Sequence, residues 1–199
     1  MKEVYILSAI ILNGSLKGHD QMLFIQETLE EELKNIEISF ESIILHQQNI
    51  KHCLGCFRCW DTTPGICSMV KDDDAEGIKE KIIKSELVIF LTPLTFGGYS
   101  SELKKIIERM LGLLQPGFTR KSGESHHLKR YERYPSLLAV ATTENLDEEE
   151  IQIFNTLIDR HSRNFYPPKY KAEVFLKKEE EGKVRDRLRE LVIDMELKK

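Results

Sequence analysis

Five short runs of apolar, often β-branched residues, each followed by a segment of helical periodicity, constrain this chain more than any other feature. Val4–Leu12, Ile38–Leu45, Leu87–Leu91, Ser136–Ala141 and Ala172–Leu176 read as strands. The nearly unbroken apolar character of Val4–Leu12 and Leu87–Leu91 is that of parallel strands buried on both faces. Helical spacing follows at Ile25, Leu29, Leu33 and Ile36 within a helix from about Asp20 to Lys34. It recurs from Asp72–Asp74 through Lys84, where acids in the first turn suit the helix dipole. Ser100 or Ser101 opens a helix carrying Leu103, Ile106, Ile107, Met110, Leu111 and Leu114. Asp147–Arg160 carries Ile151, Phe154, Leu157 and Ile158, and a closing helix from about Lys178 carries Val184, Leu188, Leu191, Val192 and Met195. Gln115–Tyr134 shows no clear period and is expected to be a long functional or interface loop.

Such alternation implies a parallel sheet with helices on both faces. Five strands point to a flavodoxin-like three-layer α/β sandwich in strand order 2-1-3-4-5, one domain over residues 1–199. Ligands in these sheets sit outside the carboxyl ends of the strands, at the switch between the first and third. The polar segments Asn13–Asp20, Thr92–Gly98 and Thr142–Asn145 all follow strands, so they are expected to meet there. The segment after the second strand, which holds the cysteines, is expected beside them.

The formal net charge of -4 gives no electrostatic reason to expect nucleic acid or an acidic membrane as partner. No apolar run has the length of a membrane span. The apolar start leads into Asn13-Gly14-Ser15 without a small-residue cleavage site and reads as a buried strand, not a signal peptide. A cytoplasmic location is therefore expected, with cysteines reduced or metal-bound.

All four cysteines, Cys53, Cys56, Cys59 and Cys67, fall in one short stretch. Two residues separate the first three, and seven separate the last two. Soft thiolates crowded in this way suit an iron–sulfur cluster better than zinc, whose structural sites come as separated pairs. A redox dithiol and a loop of ordinary thiols fit the spacing as well.

With these loops placed, the sequence resembles the flavodoxin-like NAD(P)H-dependent FMN reductases, especially their iron–sulfur flavoprotein branch. Asn13-Gly14-Ser15 resembles the phosphate loop. Cys53, Cys56, Cys59, Gly65 and Cys67, followed by Asp72 and Asp73, resemble the branch's cysteine loop. Thr92-Pro93-Leu94-Thr95-Phe96-Gly97, continuing through Tyr99–Lys104 and Arg109, resembles the flavin-ring loop and its helix. Gly123–His127 with Arg130 and Tyr131 resembles a segment of some related reductases.

The resemblance implies an enzyme that takes hydride from NAD(P)H onto FMN and reduces a further acceptor, with the flavin doing the chemistry and no catalytic side chain required. It implies that Ser15, Lys17 and His19 bind the phosphate end. Pro93, Leu94, Thr95, Phe96 and Gly97 would lie along the ring, with the amides of Thr95 and Phe96 as donors to its edge. Cys53, Cys56, Cys59 and Cys67 would ligate a [4Fe–4S] cluster, making a single-electron carrier the alternative function. The long segment would form a homodimer or homotetramer contact near the flavin. His126 and His127 read equally as surface or interface histidines and as residues of which one, with Arg130 or Tyr131, lines the flavin pocket and meets the nicotinamide phosphates. At the phosphate loop, Lys17 stands where the family usually has Arg, and His19-Asp20-Gln21 replaces a hydroxyl residue.

Overall fold

The computed structural model describes residues 8–17, 22–121 and 123–197. The strands β1 (Ser8–Asn13), β2 (Ser39–Ile44) and β3 (Leu87–Pro93) are joined by helices α1 (Leu23–Asn35), α2 (Arg58–Asp61) and α3 (Ala75–Lys84). Helix α4 (Ser101–Arg109) and a 3-10 turn at Met110–Leu113 lead into β4 (Leu114–Lys121) and β5 (Glu124–Lys129). The chain then runs through β6 (Ser136–Thr143), α5 (Glu148–Phe165), β7 (Tyr170–Leu176) and α6 (Glu181–Asp194). Five strands form one sheet in the order β2-β1-β3-β6-β7, every pair parallel. The expected fourth and fifth strands are β6 and β7, because β4 and β5 pair only with each other.

Side-chain alternation along the central strands divides the core in two. Ile10, Leu12, Val88, Phe90, Leu137 and Ala139 face the layer that holds Ile78 and Ile82 of α3, Leu103 and Ile106 of α4, and Phe154 and Ile158 of α5. Their neighbours Ala9, Ile11, Ile89, Leu91, Leu138 and Val140 face Ile25, Leu29 and Leu33 of α1 and Val184 and Leu188 of α6. Successive strand residues point to opposite faces, so a strand apolar at every position must be covered twice. Helix α5 starts on Asp147, whose Oδ1 accepts from the Glu149 and Glu150 amides at 2.9 and 3.2 Å. Helix α4 is capped by Ser100, whose hydroxyl accepts from the Leu103 amide. The apolar period expected to carry that helix to Leu114 breaks at Arg109, where the backbone tightens into the 3-10 turn.

Gln115–Tyr134 departs from expectation: most of it is an antiparallel hairpin. It lacks apolar alternation because it packs few side chains inward: among the described residues of its two strands only Leu114 of β4 and His126 of β5 are buried. Side-chain hydrogen bonds fasten its base. The Tyr134 hydroxyl donates to the Leu113 carbonyl at 2.6 Å and accepts from the Arg130 amide at 2.9 Å. The Arg130 guanidinium donates to the Gly112 and Leu114 carbonyls at 2.9 and 3.0 Å. Replacing Tyr134 with Phe strips partners from two backbone groups, so urea unfolding should show a loss of about 1–3 kcal/mol. A change within experimental error would show that Tyr134 does not anchor the hairpin.

Candidate functional site

Parallel pairing puts the carboxyl ends of β1, β3 and β6 on one edge, with Asn13 beside Leu91 and Pro93 beside Thr142. The loops that follow are bonded to one another. After β1, the Gly14 amide donates to the Leu91 carbonyl at 2.7 Å, and the Ser100 hydroxyl donates to the Gly14 carbonyl at 2.6 Å. A Cβ on Gly14 would lie 2.8 Å from both Leu103 Cβ and Ser100 Oγ, so this approach requires glycine. Asn13 braces the turn: its Oδ1 accepts from the Ser15 amide at 2.8 Å and its Nδ2 donates to Gln26 at 2.7 Å. Ser15 is buried and Lys17 exposed; His19 lies outside the described residues.

After β3, the Leu94 amide donates to the Thr142 carbonyl at 2.8 Å, tying this loop to the one after β6. Thr95 and Gly98 exchange both backbone hydrogen bonds, at 3.1 and 2.9 Å, across a two-residue turn. Phe96 (φ 49°) and Gly97 (φ 70°) occupy its left-handed positions, as such a turn demands. The Thr95 amide is therefore committed within the loop, contrary to its expected role as a free donor. The Phe96 ring stands 92% exposed. Gly97 abuts α5, where a Cβ would fall 2.5 Å from Ile153 Cγ2.

The loop after β6 completes a cavity of about 310 Å³ lined by Pro93, Leu94, Thr142, Asn145, Glu150 and Lys177 among others. That volume is at the small end of ligand pockets, which run from about 300 to 1,000 Å³. Thr142 Oγ1 is buried and has no hydrogen-bond partner among the described residues. Beneath the ring loop, the Tyr99 hydroxyl and His161 Nε2 are likewise buried and unpartnered, their rings edge to face at 6.4 Å. Burial, helped by the Lys104 charge, pushes the His161 imidazole down to about 4. Burial raises the Tyr99 phenol well above its usual range.

The segment after β2 begins beside the first of these loops, where His46 Nδ1 lies 3.1 Å from the Ser15 carbonyl oxygen. Its cysteine stretch meets the far end of α4, which is about 13 Å long over its nine residues. All four cysteines are free thiols, and all four line one cavity of about 20 Å³ with Leu54, Arg109 and Leu111. That is room for about one water. Among the described residues no group of three or more His, Cys, Asp or Glu is arranged to hold a metal ion. Burial raises the Cys59 thiol, with the Lys79 charge acting against it. Phe57 (φ 57°), Gly55 (φ 62°) and Gly65 (φ 89°) bend the stretch through left-handed backbone.

An aromatic stack joins this stretch to the hairpin. Phe57 meets Trp60 at 5.1 Å, Trp60 meets His127 at 4.7 Å and His127 meets Phe118 at 4.6 Å, between ring centroids. The Trp60 indole donates to the Leu111 carbonyl at 3.1 Å. His126 and His127 point apart, as neighbours on a strand do. His126 is buried, with Nδ1 unpartnered and Nε2 3.5 Å from Glu124. Neither imidazole is among the residues that line the carboxyl-edge cavity. Nothing in the spacing of Trp60, Phe118 and His127 announced this stack; they are far apart in the chain and join through the unforeseen hairpin.

The sequence profile of NADPH-dependent FMN reductases matches residues 7–123. An iron-sulfur flavoprotein of Archaeoglobus fulgidus is 31% identical over 103 residues, covering 52% of this chain and 48% of its own. A second protein of that name from the same organism is 26% identical over 105 residues, 53% of this chain and 46% of its own. The match thus spans about half the length of these curated relatives. Among solved structures, an NAD(P)H:quinone oxidoreductase from Methanothermobacter marburgensis superposes with a TM-score of 0.67 at 13% identity, over 92% of this chain and 96% of that one. RosB with bound 8-demethyl-8-formylriboflavin-5'-phosphate superposes with a TM-score of 0.65 at 17% identity, over 96% and 78%. At these identities the likeness is one of fold: an α/β flavodoxin-like sandwich. No helix among the described residues is long and apolar enough to cross a membrane.

The neutral His161 gives a pH signature. Its imidazole titrates near 4 when folded and near 6.5 when unfolded. Between these values the unfolded chain binds a proton that the folded chain does not. Stability from this group is complete above pH 6.5 and is lost as pH falls towards 4, at up to about 1.4 kcal/mol per unit. In urea unfolding at pH 7 and pH 4.5, His161→Phe should lose about 2 kcal/mol less than the parent chain. Equal losses would contradict a buried neutral imidazole.

Proposed function

Because the chain belongs to the NADPH-dependent FMN reductase family, we propose that its three carboxyl-edge loops hold FMN and that it is an oxidoreductase using NAD(P)H. The observation that carries this reading is the buried, unpartnered Thr142 hydroxyl in a cavity bounded by Pro93 and Leu94, at the edge where three loops are bonded together. An orphaned donor in a polar cavity is what a heteroatom-rich ring would satisfy.

Each loop has a distinct task. At the phosphate end the Ser15 amide is taken by Asn13, so the Ser15 hydroxyl and the Lys17 ammonium supply the binding. Pro93, Leu94 and Thr95 form one wall for the ring, and the tight turn at Phe96-Gly97 keeps the wall from folding over it. The Phe96 amide remains as a donor to the ring edge. Its exposed side chain shields the open face from water when nicotinamide is stacked there. When bound, FMN supplies the hydride and single-electron chemistry, and the protein's contribution is position and electrostatics.

A second reading, an electron carrier with a [4Fe–4S] cluster, is favoured by one observation: Cys53, Cys56, Cys59 and Cys67 line the same cavity. The donor chemistry fits a cluster. The loop would have to widen to admit it, since the cavity is only water-sized. Reduced thiols suit a reducing compartment such as the cytoplasm. The exposed hairpin is the proposed contact of a homodimer or homotetramer. The acceptor is a small molecule or protein of unassigned class, with no role for nucleic acid or membrane.

Anaerobically purified protein mixed with FMN should show a bound flavin spectrum that NADH or NADPH bleaches. Gly97→Ala, which forces a side chain against Ile153, should weaken FMN binding about tenfold or more, a loss of at least ~1.4 kcal/mol. Failure to bind FMN, or no bleaching by either nucleotide, would overturn this function.

A further inference from the structure

The segment that completes the carboxyl-edge cavity carries a run of acids, and the flavin reading uses none of them. Residues 144–150 hold five acids and no base. Among the described residues that line the cavity, three carboxylates, Glu144, Asp147 and Glu150, stand against one base, Lys177. Lys177 Nζ donates to Glu144 at 2.7 Å, so those two charges cancel. Asp147 commits Oδ1 to the Glu149 and Glu150 amides as the cap of α5. The carboxylates of Glu148, Glu149 and Glu150 have no ion-pair partner among the described residues. They sit against the ring loop, since a Cβ on Gly97 would lie 3.3 Å from the Glu150 carbonyl oxygen. On the same cavity wall, the buried and unpartnered Thr142 hydroxyl marks where a ligand's polar atom is wanted.

Stabilising the helix start does not account for so many acids. A helix N-terminus carries about half a positive unit charge, and Asp147 already answers it. Glu148 and Glu149 are exposed and Glu150 is half-buried, so their charge stays uncancelled at the edge of the cavity. A cleft lined by one sign of charge draws in molecules of the opposite sign and repels those of its own, by about 10- to 1,000-fold in association rate.

We propose that the acidic first turn of α5 sets the charge class of the electron acceptor: Glu148, Glu149 and Glu150 favour cationic acceptors over anionic ones and leave uncharged ones unsteered. This rests on the flavin reading of the cavity and is independent of the cysteine stretch. Two one-electron acceptor ions take the two electrons that NADH gives up as hydride, leaving NAD+ and one proton.

Hexaammineruthenium(III), a trication, and ferricyanide, a trianion, are one-electron acceptors that test this, with an uncharged quinone as reference. FMN-loaded chain is reduced with dithionite under anaerobic conditions and mixed with each in a stopped-flow instrument. As salt rises from about 0.01 M to about 1 M, the Debye length falls from about 30 Å to about 3 Å. The rate with the ruthenium ion should fall over that range, the rate with ferricyanide should rise, and the quinone rate should stay level. Glu148→Gln/Glu149→Gln/Glu150→Gln keeps the Asp147 cap and should lower the ruthenium-to-ferricyanide rate ratio about tenfold at low salt. Removing the same charge at Glu27, Glu132 and Glu190, exposed residues outside the cavity lining, should leave the ratio nearly unchanged. A second readout needs no turnover: in a spectroelectrochemical titration the rim variant should hold FMN at a less negative potential, because fewer fixed negative charges oppose the incoming electrons. Circular dichroism and melting temperature check folding, and the parent's own salt response stands without any variant. A chain that binds FMN but shows no opposite salt response, or a distant variant that matches the rim variant, would overturn the inference and leave the flavin reading standing. A chain that does not bind FMN would sink both.

Discussion

Parallel pairing of β1, β3 and β6 is the constraint on which the rest of the molecule depends. A strand paired in parallel on both sides cannot return by a tight turn, so each connection crosses the sheet as a helix. Helices then cover both faces, and strand residues must be apolar at nearly every position. The same pairing puts every strand's carboxyl end on one edge. Short hydrogen bonds from Gly14 to Leu91, Ser100 to Gly14 and Leu94 to Thr142 turn that shared edge into one bonded rim. The proposed flavin site is a consequence of the ladder, elaborated by glycines at positions 14 and 97 where side chains would collide.

The cysteine stretch obeys different physics. It has little regular structure beyond α2, and its backbone turns through left-handed positions at Gly55, Phe57 and Gly65. Its shape comes from outside: buried ion pairs on one side and the Phe57–Trp60–His127–Phe118 stack on the other. The rim and the cysteine cavity are therefore held by separate sets of contacts, linked through α4. Ser100 caps the start of that helix over Gly14, and Arg109 closes its end on Asp73.

Much of the fold was legible because burial on both faces leaves a strong imprint. Leu87–Leu91 and Ser136–Ala141 could scarcely be anything but central strands, and their helices followed from period alone. The hairpin was not legible, because both of its faces are largely exposed and apolar alternation had no reason to appear. The Ser122-Gly123 dipeptide between Phe118 and His126 was the available signal, a common two-residue turn pair. At the rim, the loops were readable from Gly and Pro positions, but the Thr95 amide's commitment to Gly98 was not, since it depends on the turn type adopted at Phe96 and Gly97. Asp73 was read as a helix-start acid, and its Oδ1 does accept from the Ala75 amide at 3.3 Å; it also pairs with Arg109, a contact that only the tertiary fold creates. The four cysteines were obvious; the buried cations Lys79 and Arg109 were hidden among ordinary helix-surface charges.

Amide hydrogen exchange with and without FMN tests the shared-rim claim most directly, because it reports where the ligand sits without relying on turnover. Slowed exchange should appear together in residues 13–17, 93–98 and 142–145, with little change across β4 and β5. Protection confined to the hairpin or the cysteine stretch, with the three loops unaffected, would contradict it.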